Sequence, residues 1–267
     1  MSKISHPTIK ELGLDLLVIT RWKLYWTILE PIIFFVLYII CAFYNAIIPA
    51  ILSVIVMSYF TYGSTSHDLV HRNLKLNRKL NDILLSFIEV ISIRSGTAYR
   101  IAHLNHHKLY PHEDDVEGKA SSMSFLGSLS EGLVFQYKII IWSLNNGSKK
   151  DKRMIVVELT IIALIILVGA FLIPISIFPL LYIILSIMGS WIIPFATSYL
   201  VHTPEGTNEL LQTKLFRGKF YSIISLEHLY HLEHHLYPMV PHKNWKELAR
   251  RLDPYFERMQ IKANRIL

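Results

Sequence analysis

From Tyr25 to Tyr44 the chain is almost continuously apolar, turns through Asn45 to Pro49, and stays apolar from Ile51 to Tyr62. A second pair of apolar runs covers Met154 to Ile173 and, after Pro174, Ile177 to Val201, interrupted by Pro179 and Pro194. Each run approaches the ~20 residues a helix needs to cross hydrocarbon. The pattern predicts four spans at about 25–44, 46–66, 154–173 and 177–201, in two tight hairpins. Between the hairpins, Leu80, Ile83, Leu84, Phe87, Ile88 and Ile91 recur at helical spacing, with Asn81, Asp82, Ser86 and Glu89 on other faces. This reads as a helix lying on the membrane or against a cap. Leu129, Leu133, Tyr137, Ile140 and Leu144 suggest a second such helix, and Trp245, Leu248, Ala249 and Leu252 a third.

Composition agrees with a membrane. Of 267 residues, 52% are hydrophobic and only 18% charged, and the mean hydropathy is +0.37. All 27 Lys and Arg residues fall in 3–23, 72–153 and 214–265, and none in 24–71 or 154–213. Both hairpin tips are bare of positive charge, which places the basic stretches, both termini and the segments 67–153 and 202–267 on the cytoplasmic side. The net charge of +7 then reads as positive-inside topology and contact with anionic lipid rather than nucleic-acid binding. Residues 1–23 lack the apolar core and cleavage site of a secretory signal, so none is expected to be removed. The expected fold is an all-α integral membrane domain spanning 1–267, with four transmembrane helices and a cytoplasmic helical cap. The single cysteine, Cys41, excludes a disulfide framework and a cysteine-held zinc or iron–sulfur centre.

Thirteen histidines carry the candidate chemistry. Apart from His6 they gather as His67 and His71; His103, His106, His107 and His112; His202; and His228, His231, His234, His235 and His242. HDLVH puts His67 and His71 on one helical face; HLNHH does the same for His103 with His106 and His107, and HLEHH for His231 with His234 and His235. Imidazole suits iron, zinc, copper and nickel. Nine candidates (His67, His71, His103, His106, His107, His202, His231, His234 and His235) exceed the three or so protein ligands of a catalytic zinc and suit two ions. His6, His112 and His242 read as surface or loop residues, and His228 either supports the cluster or packs. Asp68 and Glu233 either accept the second ring N–H of a ligand or stand in solvent. Glu113, Asp114, Asp115 and Glu117 read as a solvated charged turn, and Glu30 and Glu158 as interfacial carboxylates.

HDLVH, HLNHH and HLEHH, in that order around two hairpins, resemble the three histidine boxes of the membrane fatty acid desaturase superfamily, which includes acyl desaturases and hydroxylases and carotenoid ketolases and hydroxylases. The resemblance covers about Tyr25 to Trp245. It implies a non-haem di-iron centre on the cytoplasmic face, with His202 supplying the further histidine near the end of the fourth span. Where some acyl desaturases carry an asparagine four residues before that histidine, this chain has Ser198. HLEHHLYPMVPHKNW resembles both acyl desaturases and carotenoid ketolases; the acidic loop YPHEDDVEG and His228 lean to the carotenoid side.

An unactivated C–H bond offers neither an acidic proton nor a carbonyl, so a redox metal with dioxygen must carry such a reaction. The resemblance implies two ferrous ions, O2 as co-substrate and a long apolar lipid chain, acyl or carotenoid, that is desaturated or oxygenated. Electrons are expected from a separate ferredoxin- or cytochrome-type donor, since neither end of the chain has room for a fused cytochrome. A membrane zinc hydrolase would leave most of the histidines without a role. A metal transporter or haem carrier would place histidines within the spans, and 25–66 and 154–201 contain none. A bacterial inner membrane is the expected location, since no retention motif is seen.

Overall fold

The computed structural model describes residues 6–218 and 228–265; residues 219–227, in the stretch after the fourth span, and the extreme termini lie outside the described residues. The chain is 72% helical with almost no sheet. Its helices, in order, are α1 (Ile9–Leu12), α2 (Arg21–Phe43), α3 (Ile47–Phe60), α4 (Ser66–His71), α5 (Arg78–Ile91), α6 (Gly96–Leu109), α7 (Phe125–Asn146), α8 (Lys149–Phe171), α9 (Phe178–Trp191), α10 (His231–Leu236) and α11 (Trp245–Arg258). Among the described residues a two-stranded sheet pairs Phe216–Arg217 in parallel with Asn264–Arg265, and an isolated antiparallel bridge joins His202 and Thr213.

Four helical stretches are long and apolar enough to cross a membrane: Leu14–Phe43, Ile47–His71, Lys149–Phe171 and Phe178–Tyr199. The hydropathy pattern locates these spans, but their helices start and stop elsewhere, because caps rather than hydropathy set helix ends. The Thr20 side chain accepts from the Lys23 N–H, so α2 starts four residues before Tyr25, the start the apolar run suggests. Ser148 and Asp151 cap each other reciprocally, so α8 starts at Lys149. The second span continues beyond residue 66 through a wide turn, Thr61–Thr65, into α4, and therefore carries HDLVH on its own end. Its hydroxyls find carbonyl acceptors, Thr61 on Met57 and Thr65 on Thr27, each at 2.6 Å, which is how polar side chains are accommodated at such depth.

Within the spans, α3 packs against both α2 and α9, and α9 against α8. Tyr38, Ala50, Val54, Met57, Phe178, Tyr182 and Ile183 form their shared core. A second core unites α5, α6 and α7 around Leu85, Ile88, Ala98, Ala102, Phe135 and Ile139. A third places Leu12 and Leu16 of the N-terminal segment against Trp245, Leu248, Leu252 and Phe256 of α11. The 245–252 stripe is buried as its spacing predicts.

The other two surface helices turn part of their apolar stripes outward. In α5 the stripe divides: Leu80, Ile83 and Phe87 face outward while Ile88 and Ile91 are buried, together with Leu85 from outside the stripe. Asn81 and Glu89, on its polar side, are buried as well, Asn81 donating to the Leu69 carbonyl at 2.8 Å and Glu89 pairing with Arg94 at 2.7 Å. In α7 Leu133 and Tyr137 are 77% and 67% exposed, and the inward face is Ser128, Glu131, Gly132, Phe135 and Ile139. A helix beside lipid turns its apolar side outward, which reverses the soluble-protein rule. Glu158 is buried within the protein, accepting from Ser86, Ser95 and Thr97 and so tying α8 to α5 and α6. Glu30 sits at the edge, 3.5 Å from Lys243.

Candidate metal centre

Both returning spans pass through a wide five-residue turn just before delivering histidine: Thr61–Thr65 precedes His67, and Phe195–Tyr199 precedes His202. Such turns insert one extra residue into a helical circuit and so rotate the next side chains to a new face. The other two histidine-bearing pieces are α6, capped by Ser95 on the Ala98 N–H at 3.1 Å, and the short α10.

The nine clustered histidines fall into two groups. His67, His71, His103, His107 and His234 form one, and His106, His202, His231 and His235 the other, with the ring nitrogens of each group within 4.8 Å of one another. The HxxHH spacing explains the partition. In a helix, residues four apart share a face while the residue at i+3 lies to one side. In α6 the pair His103 and His107 turns to the five-member group and His106 to the four-member group; in α10 the pair His231 and His235 turns to the four-member group and His234 to the other. Each group thus receives a pair from one box and a single ring from the other. Nε2 faces Nε2 throughout: His67–His234 3.0 Å, His71–His103 2.9 Å and His107–His234 2.8 Å in the larger group; His106–His202 3.2 Å, His202–His235 3.1 Å and His231–His235 3.1 Å in the smaller.

Two carboxylates fix the tautomers. His103 donates from Nδ1 to Glu117 at 3.0 Å, and His106 from Nδ1 to Asp115 at 2.6 Å. His202 Nδ1 lies 3.2 Å from the carbonyl of Ser198. With its Nδ1–H engaged, His103 presents a bare Nε2 lone pair, which faces Nε2 of His71 at 2.9 Å and of His107 at 3.2 Å. That one lone pair can accept an N–H from at most one of the two rings, whereas a cation among the three nitrogens would engage them all, so this donor set fits a metal ion. Burial, reinforced by neighbouring imidazoles, pushes His107, His202, His231, His234 and His235 well below the ordinary imidazole range. Neutral imidazole is the ligating form. Burial works the same way on His106, but the Asp115 hydrogen bond and charge outweigh it and raise that group. A carboxylate that favours a proton on His106 equally favours a cation at its other nitrogen.

The other expected residues lie around the two groups. Asp68 accepts the His242 backbone N–H at 2.8 Å, and Glu233 pairs with Arg217 at 2.7 Å. Burial raises the Glu233 carboxyl to about 7 against the pull of Arg217. The Ser198 hydroxyl donates to the Gly118 carbonyl at 2.9 Å and accepts from the Ser121 N–H at 3.0 Å, so it is committed away from the histidines. His228 belongs to neither group; its ring centre is 6.4 Å from that of His67, and burial lowers it to about 4. His242 is buried rather than on a loop surface, 4.6 Å from the Trp245 ring, while His112 is exposed. His6 meets Tyr255 and Glu209.

Sequence reasoning missed Asp115 and Glu117, which are buried rather than solvated. The available signal was position: they come soon enough after HLNHH to fold back onto it. It also missed Trp245 as a neighbour of the centre, its ring 4.7 Å from that of His234 and 5.1 Å from that of His67.

No curated protein matches the chain. The family model described as fatty acid desaturase matches residues 45–265, a stretch that contains both histidine groups. The chain belongs to the fatty acid desaturase family.

Proposed function

We propose that this membrane oxidoreductase is an O2-dependent di-iron enzyme that desaturates or hydroxylates a long apolar lipid chain. His67, His71, His103, His107 and His234 would hold one iron, and His106, His202, His231 and His235 the other. The observation that carries this reading is the division of nine imidazoles, six buried and three half-buried, into two groups, each with its ring nitrogens within 4.8 Å of one another. Iron with dioxygen supplies the oxidising power that an unactivated C–H bond requires.

The chain's own residues do the rest. Burial keeps His107, His202, His231, His234 and His235 neutral, Glu117 and Asp115 hold two other rings in one tautomer, and the spans exclude water from an apolar substrate. The basic stretches flanking the spans favour a cytoplasmic position for the centre and the docking of an acidic ferredoxin- or cytochrome-type donor. Metal analysis of detergent-purified protein expressed with iron available tests the reading. About two irons per chain, with dioxygen-dependent alteration of lipid, supports it. About one zinc and no iron overturns it in favour of a hydrolase. Acyl-chain and pigment profiles of the expressing cells then decide between acyl and carotenoid substrates. The acidic loop no longer speaks for the carotenoid side, since Asp115 and Glu117 are engaged with His106 and His103.

A further inference from the structure

We infer that the turn from Asp115 to Gly118 is a single brace that positions ligands of both metal groups, an inference that rests on the di-iron reading. Among the described residues, Asp115 and Glu117 are the only carboxylates paired with any of the nine clustered imidazoles, and they serve one group each. The turn is built for this. Oδ1 of Asp115 accepts the backbone N–H groups of Glu117 at 3.1 Å and Gly118 at 3.0 Å, which folds the chain back and leaves Oδ2 for His106 at 2.6 Å. Oε1 of Glu117 accepts from His103 at 3.0 Å and from the Tyr62 hydroxyl at 3.4 Å. Gly118 leaves no room for a side chain, because a Cβ there would run into Oδ2 of Asp115 and the Tyr110 ring.

The turn is also pinned to the last span. The Gly118 carbonyl accepts from the Ser198 hydroxyl at 2.9 Å, and the carbonyl of the same Ser198 lies 3.2 Å from His202 Nδ1. One buried polar assembly therefore reaches His103 of the larger group and His106 and His202 of the smaller. The partition makes a site-specific expectation: Glu117 governs iron in the five-imidazole group and Asp115 iron in the four-imidazole group. Carboxylates that only satisfied buried imidazoles during folding would show no such division.

The experiment is iron titration of metal-free protein in detergent, with iron per chain and the Mössbauer spectrum of bound 57Fe as readouts. The isosteric variants Glu117→Gln and Asp115→Asn are compared with wild type, and His202→Ala identifies the spectral component of the smaller group. Each amide variant is expected to need about 10–100-fold more free iron to fill one site, with only that site's component altered. The altered component should be the larger group's for Glu117→Gln and the smaller group's for Asp115→Asn. Gly118→Ala displaces Oδ2 of Asp115 while keeping every hydrogen-bonding group, and should reproduce the Asp115→Asn pattern. If the wild type takes up two irons while the variants fill both sites at wild-type iron concentrations with unchanged spectra, the brace is wrong and the di-iron reading stands. If the wild type takes up no iron, both fall.

Discussion

The five-imidazole group and the four-imidazole group hold their members by different means. The larger has two rings from one helix end, His67 and His71, where the smaller has only His202. In the larger group Nδ1 of His67 and of His234 is buried with no partner among the described residues, and only His103 rests on a carboxylate. The smaller group has fewer rings but firmer support, with His106 on Asp115 at 2.6 Å and His202 on the Ser198 carbonyl at 3.2 Å. A cation can be retained by surplus ligands or by preorganised ones, since each fixed ring spares the entropy of ordering it on binding. The two groups of rings are arranged in these two ways.

The largest effects should come from removing a ring of the four-imidazole group. His235→Ala leaves that group three rings and should lower turnover by at least ~100-fold, through loss of metal affinity. Membrane insertion should persist, because His235 lies outside the four apolar stretches; lipid analysis and carbonate extraction of the membranes check the two halves. Next comes the contrast itself. His202→Ala leaves three rings in its group and should drop iron to about one per chain, whereas His71→Ala leaves four and should keep about two, at an affinity reduced about tenfold. Equal iron loss in the two variants would dissolve the distinction between number and support. His228→Ala sharpens it further, since His228 lies in neither group. Iron content should stay near two per chain and affinity within about threefold of wild type; loss of one iron would make the larger group six-membered.

The smallest effect concerns how α6 and α10 are held. α6 is embedded in the core of α5 and α7, whereas α10 leads into α11, which the N-terminal segment straps down through Arg251 to Asp15 at 2.6 Å and to the Leu12 carbonyl at 2.7 Å. Arg250 and Arg251 hold Glu247 down to about 2 from its ordinary 4.5. A carboxyl lowered in the folded state contributes stability above its unfolded value and loses it as pH falls through the folded one. In metal-free protein the strap should therefore loosen between about pH 4.5 and 2, read as faster hydrogen exchange in 9–18 with α6 unchanged. These groups face solvent, so the change should be slight and weaker still at high salt.

Much of this was legible along the chain. The four spans come from hydropathy, and the division of the boxes comes from helical spacing once α6 and α10 are known to face each other. Three kinds of feature were not. Helix ends at Arg21 and Lys149 depend on Thr20 and Ser148 caps that extend a span past its apolar run. The stripe of Leu133 and Tyr137 left membrane and cap open as its partner, because periodicity reports that a helix has two faces without saying which solvent each one meets; both side chains face outward. Asp115 and Glu117 sit in a run with Glu113 and Asp114, and composition cannot separate two buried carboxylates from two solvated ones beside them. Glu158 and Glu89 were hidden for the same reason: their partners, among them Ser86, Ser95 and Arg94, converge only after folding.

The crosswise use of the two HxxHH helices bears on biosynthesis. A ribosome delivers the first hairpin, then α6, then the second hairpin, and only afterwards α10, which owes rings to both groups. Neither group can therefore be completed before α10 has been made. Four rings of the larger group and two of the smaller precede it, so the docking of α10 completes both in one event. On the di-iron reading, cells short of iron should accumulate inserted protein that lacks metal, and recover activity by adding iron without making new protein.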